Sequence, residues 1–156
     1  MASMIIASNL HKSYKLNESF VRSLARDVLR IIGKEEAIDL ELIFLDDKSM
    51  KSYNKKYKSE DRATDVLSFK IDRSEFGQKT PVGHIIISLD MALRNSGLYE
   101  TRFADEAVLY VIHGILHLFG YDDGCRRDSC RMAVKQKQIL DKLCCSKNLS
   151  KVLMPL

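Results

Sequence analysis

At 156 residues and 46% hydrophobic, with a net charge of +4, the chain has the length and composition of one domain with a proper core. Its greasiest stretch, residues 108–119, falls short of the roughly 18 uninterrupted apolar residues of a membrane span, and the N-terminus has no basic start and too short an apolar run for a signal peptide. The four cysteines (Cys125, Cys130, Cys144, Cys145) form no Cys-x-x-Cys pair, which argues against a disulfide framework and for a reducing cytoplasm.

In chain order, residues 4–7 read as a short strand. Residues 18–32 carry Phe20, Val21, Leu24, Val28, Leu29, Ile31 and Ile32 at helical spacing, with Asn17 placed as N-cap and Gly33 as the stop. Residues 40–45 form a strand, and Asp47 is placed to cap a short helix over 48–56. Two more strands, 65–71 and 82–88, are joined by a polar loop containing Gly77 and Pro81. Residues 91–96 suggest a short helix. Residues 103–118 are apolar nearly all round, so this helix is buried and central. A basic amphipathic helix spans 128–143, and the tail after Ser146 reads as loosely held. The pattern predicts an α+β fold: one domain over residues 1–156, a small mixed sheet of about four strands, and helices packed mainly on one face.

Within the central helix, His113 and His117 stand at i and i+4, one turn apart on one face, where both imidazoles can bind one metal ion. Gly120 can end the helix and turn the chain back, and Asp123 follows three residues later. Two helical nitrogens and one returning carboxylate leave a tetrahedral zinc ion its fourth position open, as catalytic zinc sites do. A lone buried histidine is ordinarily a core residue with its hydrogen bonds satisfied. Two of them gain nothing obvious from burial without a shared partner. Tyr121-Asp122-Asp123-Gly124 also has the composition of a plain surface turn, and Cys125 is a minor alternative ligand.

Charge is uneven along the chain. Lys48, Lys51, Lys55, Lys56, Lys58 and Arg62 cluster against only Glu60 and Asp61, and the C-terminal stretch holds a second basic run. Such runs are most often solvated helix faces; beside a metal site they also suit a polyanion such as nucleic acid.

The segment His113-Gly-Ile-Leu-His117-Leu-Phe-Gly120-Tyr-Asp122 resembles the signature of the YbeY family of bacterial metal-dependent endoribonucleases, His-Gly-x-Leu-His-Leu-x-Gly-Tyr-Asp-His. A second family block is matched by Asn54, Tyr57 and Asp61 and by Thr64-Asp65-Val66-Leu67-Ser68-Phe69, and a third by Gly83 and by Ile85 through Ser88. The resemblance covers essentially the whole domain. It implies cleavage of single-stranded RNA, chiefly ribosomal RNA, in 16S 3′-end maturation and ribosome quality control at the small ribosomal subunit, in the cytoplasm. One zinc ion is implied at His113, His117 and Asp123, with Lys58 stabilising phosphate charge and Lys55, Lys56 and Arg62 holding the RNA backbone.

The departures fall close to the chemistry. Asp123 stands where the family has a third histidine, Lys58 where it has arginine, Ala63 where it has proline, and His84 where it has aspartate. A carboxylate ligand is chemically tolerable and admits harder divalent ions than zinc. Lys58 keeps the charge of arginine without its bidentate fork. His84 is expected to be a plain edge-strand histidine rather than a replacement ligand. Two rival readings share these features. A metal-containing but non-catalytic ribosome-assembly factor is consistent with the changes at Asp123 and Lys58. A zinc metalloprotease is disfavoured, because such enzymes carry a catalytic glutamate where this chain has Gly114.

Overall fold

The computed structural model describes residues 2–59 and 64–154. Strand β1 (Ile5–Asn9) leads through the short β2 (Lys15–Leu16) into helix α1 (Glu18–Ile31). Strand β3 (Asp39–Leu45), helix α2 (Asp47–Lys58), strand β4 (Val66–Ile71) and strand β5 (Val82–Ser88) follow. Helices α3 (Leu89–Leu98), α4 (Phe103–Leu118) and α5 (Arg126–Ser146) precede a 3₁₀ turn (Leu149–Val152) and a last short strand, β6 (Leu153–Met154).

The main sheet has the order β1-β3-β5-β4. Its first three strands are parallel, and β4 runs antiparallel at the edge. Strand alternation divides the core in two. Leu40, Leu42, Phe44, Ile85 and Ile87 face the large cluster formed with α1, α3, α4 and α5. Leu45, Leu67 and Ile86 point the other way, onto Met50 of α2. Both faces are therefore covered toward the C-terminal ends of β3 and β5, which explains their apolar runs Ile43-Phe44-Leu45 and Ile85-Ile86-Ile87. The layout is the expected α+β mixed sheet, with most helices on one face and α4 buried at the centre.

Three details differ from the sequence reading. His84 is not on an edge strand: β5 lies between β3 and β4, so His84 is flanked by Glu41 at 3.3 Å and the ring of Phe69 at 5.2 Å. The cap of α2 is Asp46, whose side chain accepts from the Ser49 N–H; Asp47 instead accepts from Ser88 and Arg94, tying α2 to α3. The tail after Ser146 is packed, because Leu149 and Val152, three residues apart, share the buried side of the 3₁₀ turn. Leu153 and Met154 then pair antiparallel with Leu16 and Lys15, and the Asn17 N–H donates to Val152 O.

Gly114, in the middle of α4, sets how closely that helix approaches the sheet. A Cβ there would lie 2.5 Å from Ile85 Cγ2 and 3.1 Å from Ser68 Oγ, and the Ser68 hydroxyl donates to Gly114 O across the contact. The hydrogen bond and the missing side chain together seat the histidine-bearing turn against β4.

Candidate metal centre

Helix α4 presents His113 and His117 from successive turns, with their Nε2 atoms 3.0 Å apart. The helix stops at Phe119, and Gly120 adopts φ +90°, a conformation that strains any residue with a Cβ. The Tyr121 N–H reaches back to Leu116 O, which closes the turn and sends the chain back along the helix end. In the returning loop, Asp122 Oδ1 accepts the backbone N–H groups of both Asp123 and Gly124. That local bond commits Asp122 to holding the turn and leaves the Asp123 carboxylate to face the histidines. Its oxygens lie 3.7 Å from His113 Nε2 and 3.9 Å from His117 Nε2.

These three donors fit a metal ion. Tetrahedral zinc with bonds of about 2.0–2.2 Å holds its ligand atoms about 3.3–3.6 Å apart. The observed separations bracket that spacing, and one donor atom from each of the three residues lies within 4.8 Å of the others. Two imidazoles and one carboxylate accommodate zinc and also harder divalent ions. Cys125 is turned elsewhere, its thiol donating to Asp128 at 3.2 Å.

The protonation pattern supports the same arrangement. Burial, followed by the neighbouring His113, holds the His117 pKa below the ordinary imidazole value, which favours the neutral, ligating form. Lys58 pushes in the same direction, so its positive charge is felt at His117, while Asp123 and Asp122 oppose it. His113 is oriented from behind: its Nδ1 lies 2.5 Å from Gln136 Oε1. An amide oxygen only accepts, so the proton resides on Nδ1 and the Nε2 lone pair faces the other two donors.

Gln136 is the residue that sequence reasoning missed. Its signal was present nonetheless: Met132, Ile139 and Leu143 form the buried stripe of α5, and position 136 falls on that stripe. A glutamine in an apolar row facing a histidine pair is a candidate orienting group. Between α3, α4 and α5 the site opens into a cleft of about 440 Å³ lined by Asp65, Glu106, Tyr110, His113 and Gln136, among others. Burial raises the Tyr110 pKa to about 12, so the phenol stays protonated there.

The basic residues divide. Lys55, Lys56 and Lys58 are exposed on the last turn of α2, where positive charge also complements the helix dipole. Lys58 faces a second cleft, beside β4, while Lys56 lies over the Tyr57 ring. Arg62 lies outside the described residues. Among the described residues no helix is long and apolar enough to cross a membrane.

Comparison with known proteins agrees with this geometry. The family model described as Endoribonuclease YbeY matches residues 6–144. An endoribonuclease YbeY of Pelotomaculum thermopropionicum is 32% identical over 146 residues, covering 89% of this chain and 96% of its own. Another, from Nautilia profundicola, is 38% identical over 105 residues, covering 67% and 72%. The solution structure of TM1509 from Thermotoga maritima superposes with a TM-score of 0.61 at 26% identity, over 90% of this chain and 89% of that one. The matched span holds all of the main sheet but Ile5, together with the histidine helix and its returning Asp123, and on it this chain belongs to the endoribonuclease YbeY family.

Proposed function

We propose that this protein is a metal-dependent endoribonuclease that cuts single-stranded RNA in the cytoplasm. We further propose that it processes ribosomal RNA at the 16S 3′ end and acts in quality control of the small ribosomal subunit. The observation that carries the catalytic reading is the convergence of His113, His117 and Asp123 beside the charge of Lys58, in a chain of an endoribonuclease family. One divalent ion, zinc foremost, would be held by those three side chains and would polarise a phosphoryl oxygen or activate a water at neutral pH.

The chain's own residues do the rest. Gln136 keeps His113 in the tautomer that presents Nε2, and Asp122 holds the loop that brings Asp123 back. Lys58, beside the cleft at β4, supplies positive charge where negative charge builds on the phosphate. Lys55, Lys56 and Arg62 hold the RNA backbone through charge alone, without reading its sequence. Gly114 argues against proteolysis: the position that carries a catalytic glutamate in zinc proteases faces Ile85 and Ser68 here, with no room even for a Cβ.

The test is cleavage of an end-labelled, unstructured RNA by chelator-treated protein, before and after restoring zinc, with casein as a parallel substrate. Zinc-dependent RNA cleavage with intact casein is expected. Lys58→Ala should slow cleavage by about one to two orders of magnitude, and Lys58→Arg should match or exceed the native rate. RNA left uncut by the metal-loaded protein, with binding to the small ribosomal subunit retained, would favour a non-catalytic assembly factor instead.

A further inference from the structure

Beside the metal centre, between the last turn of α2 and the outer edge of β4, lies a second cleft of about 340 Å³. It is lined by Tyr57, Lys58, Leu67, Ser68 and Phe69. Tyr57, Leu67 and Phe69 give it apolar walls and Lys58 a cation. Leu67 forms its floor, buried to 1% exposure, whereas Tyr57 remains 47% exposed although it sits on an aromatic row. That row is continuous: Tyr53, Tyr57, Phe69 and His84 follow one another at centroid distances of 6.0, 4.8 and 5.2 Å, all near parallel.

We propose that this cleft is a nucleobase subsite, which seats the base of a nucleotide adjoining the phosphate held at Lys58. The proposal rests on the endoribonuclease reading above and adds to it a part of the RNA that the protein grips. Three observations support it. Tyr57 offers a half-exposed aromatic ring backed by the partly buried Phe69, the kind of surface on which unpaired bases pack in single-strand binders. Ser68, in the lining of the cleft, also ties β4 to the histidine-bearing helix, its Oγ donating to the carbonyl of Gly114, next to His113. Lys58 lines the cleft together with Tyr57 and Phe69, so a phosphate at Lys58 places its neighbouring base against those two rings.

Binding separates this subsite from backbone electrostatics. The zinc-loaded full chain is titrated with a short unstructured RNA and with an oligomer of equal length and charge that lacks all its bases. The native protein is expected to bind the RNA about tenfold more tightly, the scale of one base–aromatic contact. Tyr57→Ala should lose that preference, Tyr57→Phe should keep it, and Phe69→Leu should reduce it, each with a native melting profile. Lys58→Ala should weaken both ligands alike, since both carry the same phosphates. Equal native affinity for the two oligomers, or an undiminished preference in Tyr57→Ala, overturns the subsite. Cleavage of the same RNA is scored separately: base preference without cleavage would count against the nuclease reading alone, and cleavage without base preference against the subsite alone.

Discussion

Gly114→Ala isolates the contact that seats the metal-bearing helix on the sheet. In an exposed helix interior this substitution stabilises by about 1 kcal/mol, because alanine loses less backbone entropy than glycine. Here the new Cβ would stand 2.5 Å from Ile85 Cγ2 and 3.3 Å from Val66 Cγ1. Ile85 is fully buried and β-branched, so its χ1 cannot swing aside cheaply, and Ser68 Oγ at 3.1 Å blocks the other direction. Overpacking of this kind costs about 2–3 kcal/mol, the upper part of its usual range. Set against the helix-propensity gain, the net loss is about 1–2 kcal/mol, or a fall of about 3–6 °C in Tm for a domain of this size. The helix must also lift away from β4, stretching the Ser68–Gly114 hydrogen bond and shifting His113, so zinc affinity should fall with stability. Thermal melting of the metal-free and zinc-loaded proteins measures both effects. A raised Tm with unchanged zinc affinity would show that α4 does not depend on this close approach.

Three further predictions concern the metal centre. In metal-free protein, burial lowers the pKa of His117, so its contribution to stability is present above the unfolded value near 6.5 and is lost as pH falls through the folded one. The Tm of the metal-free native chain should therefore drop more steeply below pH 6.5 than that of His117→Gln, and parallel curves would contradict the assignment. Gln136→Leu should weaken zinc binding by about 10–100-fold with little change in Tm of the metal-free chain, since it removes the group that orients His113; calorimetric titration decides. Asp123→His replaces a carboxylate with a softer neutral ligand and should raise the preference for zinc over manganese. An unchanged zinc-to-manganese ratio at equal competition would remove position 123 from the metal.

What the sequence alone determined was whatever depends on local periodicity and short spacing. The short apolar runs of β3 and β5, the amphipathic pattern of α1 and the i, i+4 histidines of α4 are properties of consecutive residues, and all three were legible without coordinates. Asp123 was legible as well, because a glycine that ends a helix returns the chain over only a few residues. Tertiary structure decided what rests on distant pairings. His84 became an internal rather than an edge residue because strand order places β5 between β3 and β4, and strand order does not follow chain order. The tail after Ser146 is held by Leu16 and Asn17, well over a hundred residues earlier, so its burial has no local signature. Gln136 acquires its role only when α5 lies across α4. The cleft beside β4 exists because α2 and β4, joined through residues that lie between them in sequence, meet again at Tyr57 and Phe69. Local patterns set which face each element buries, but only packing of the whole chain chooses the partner across that face.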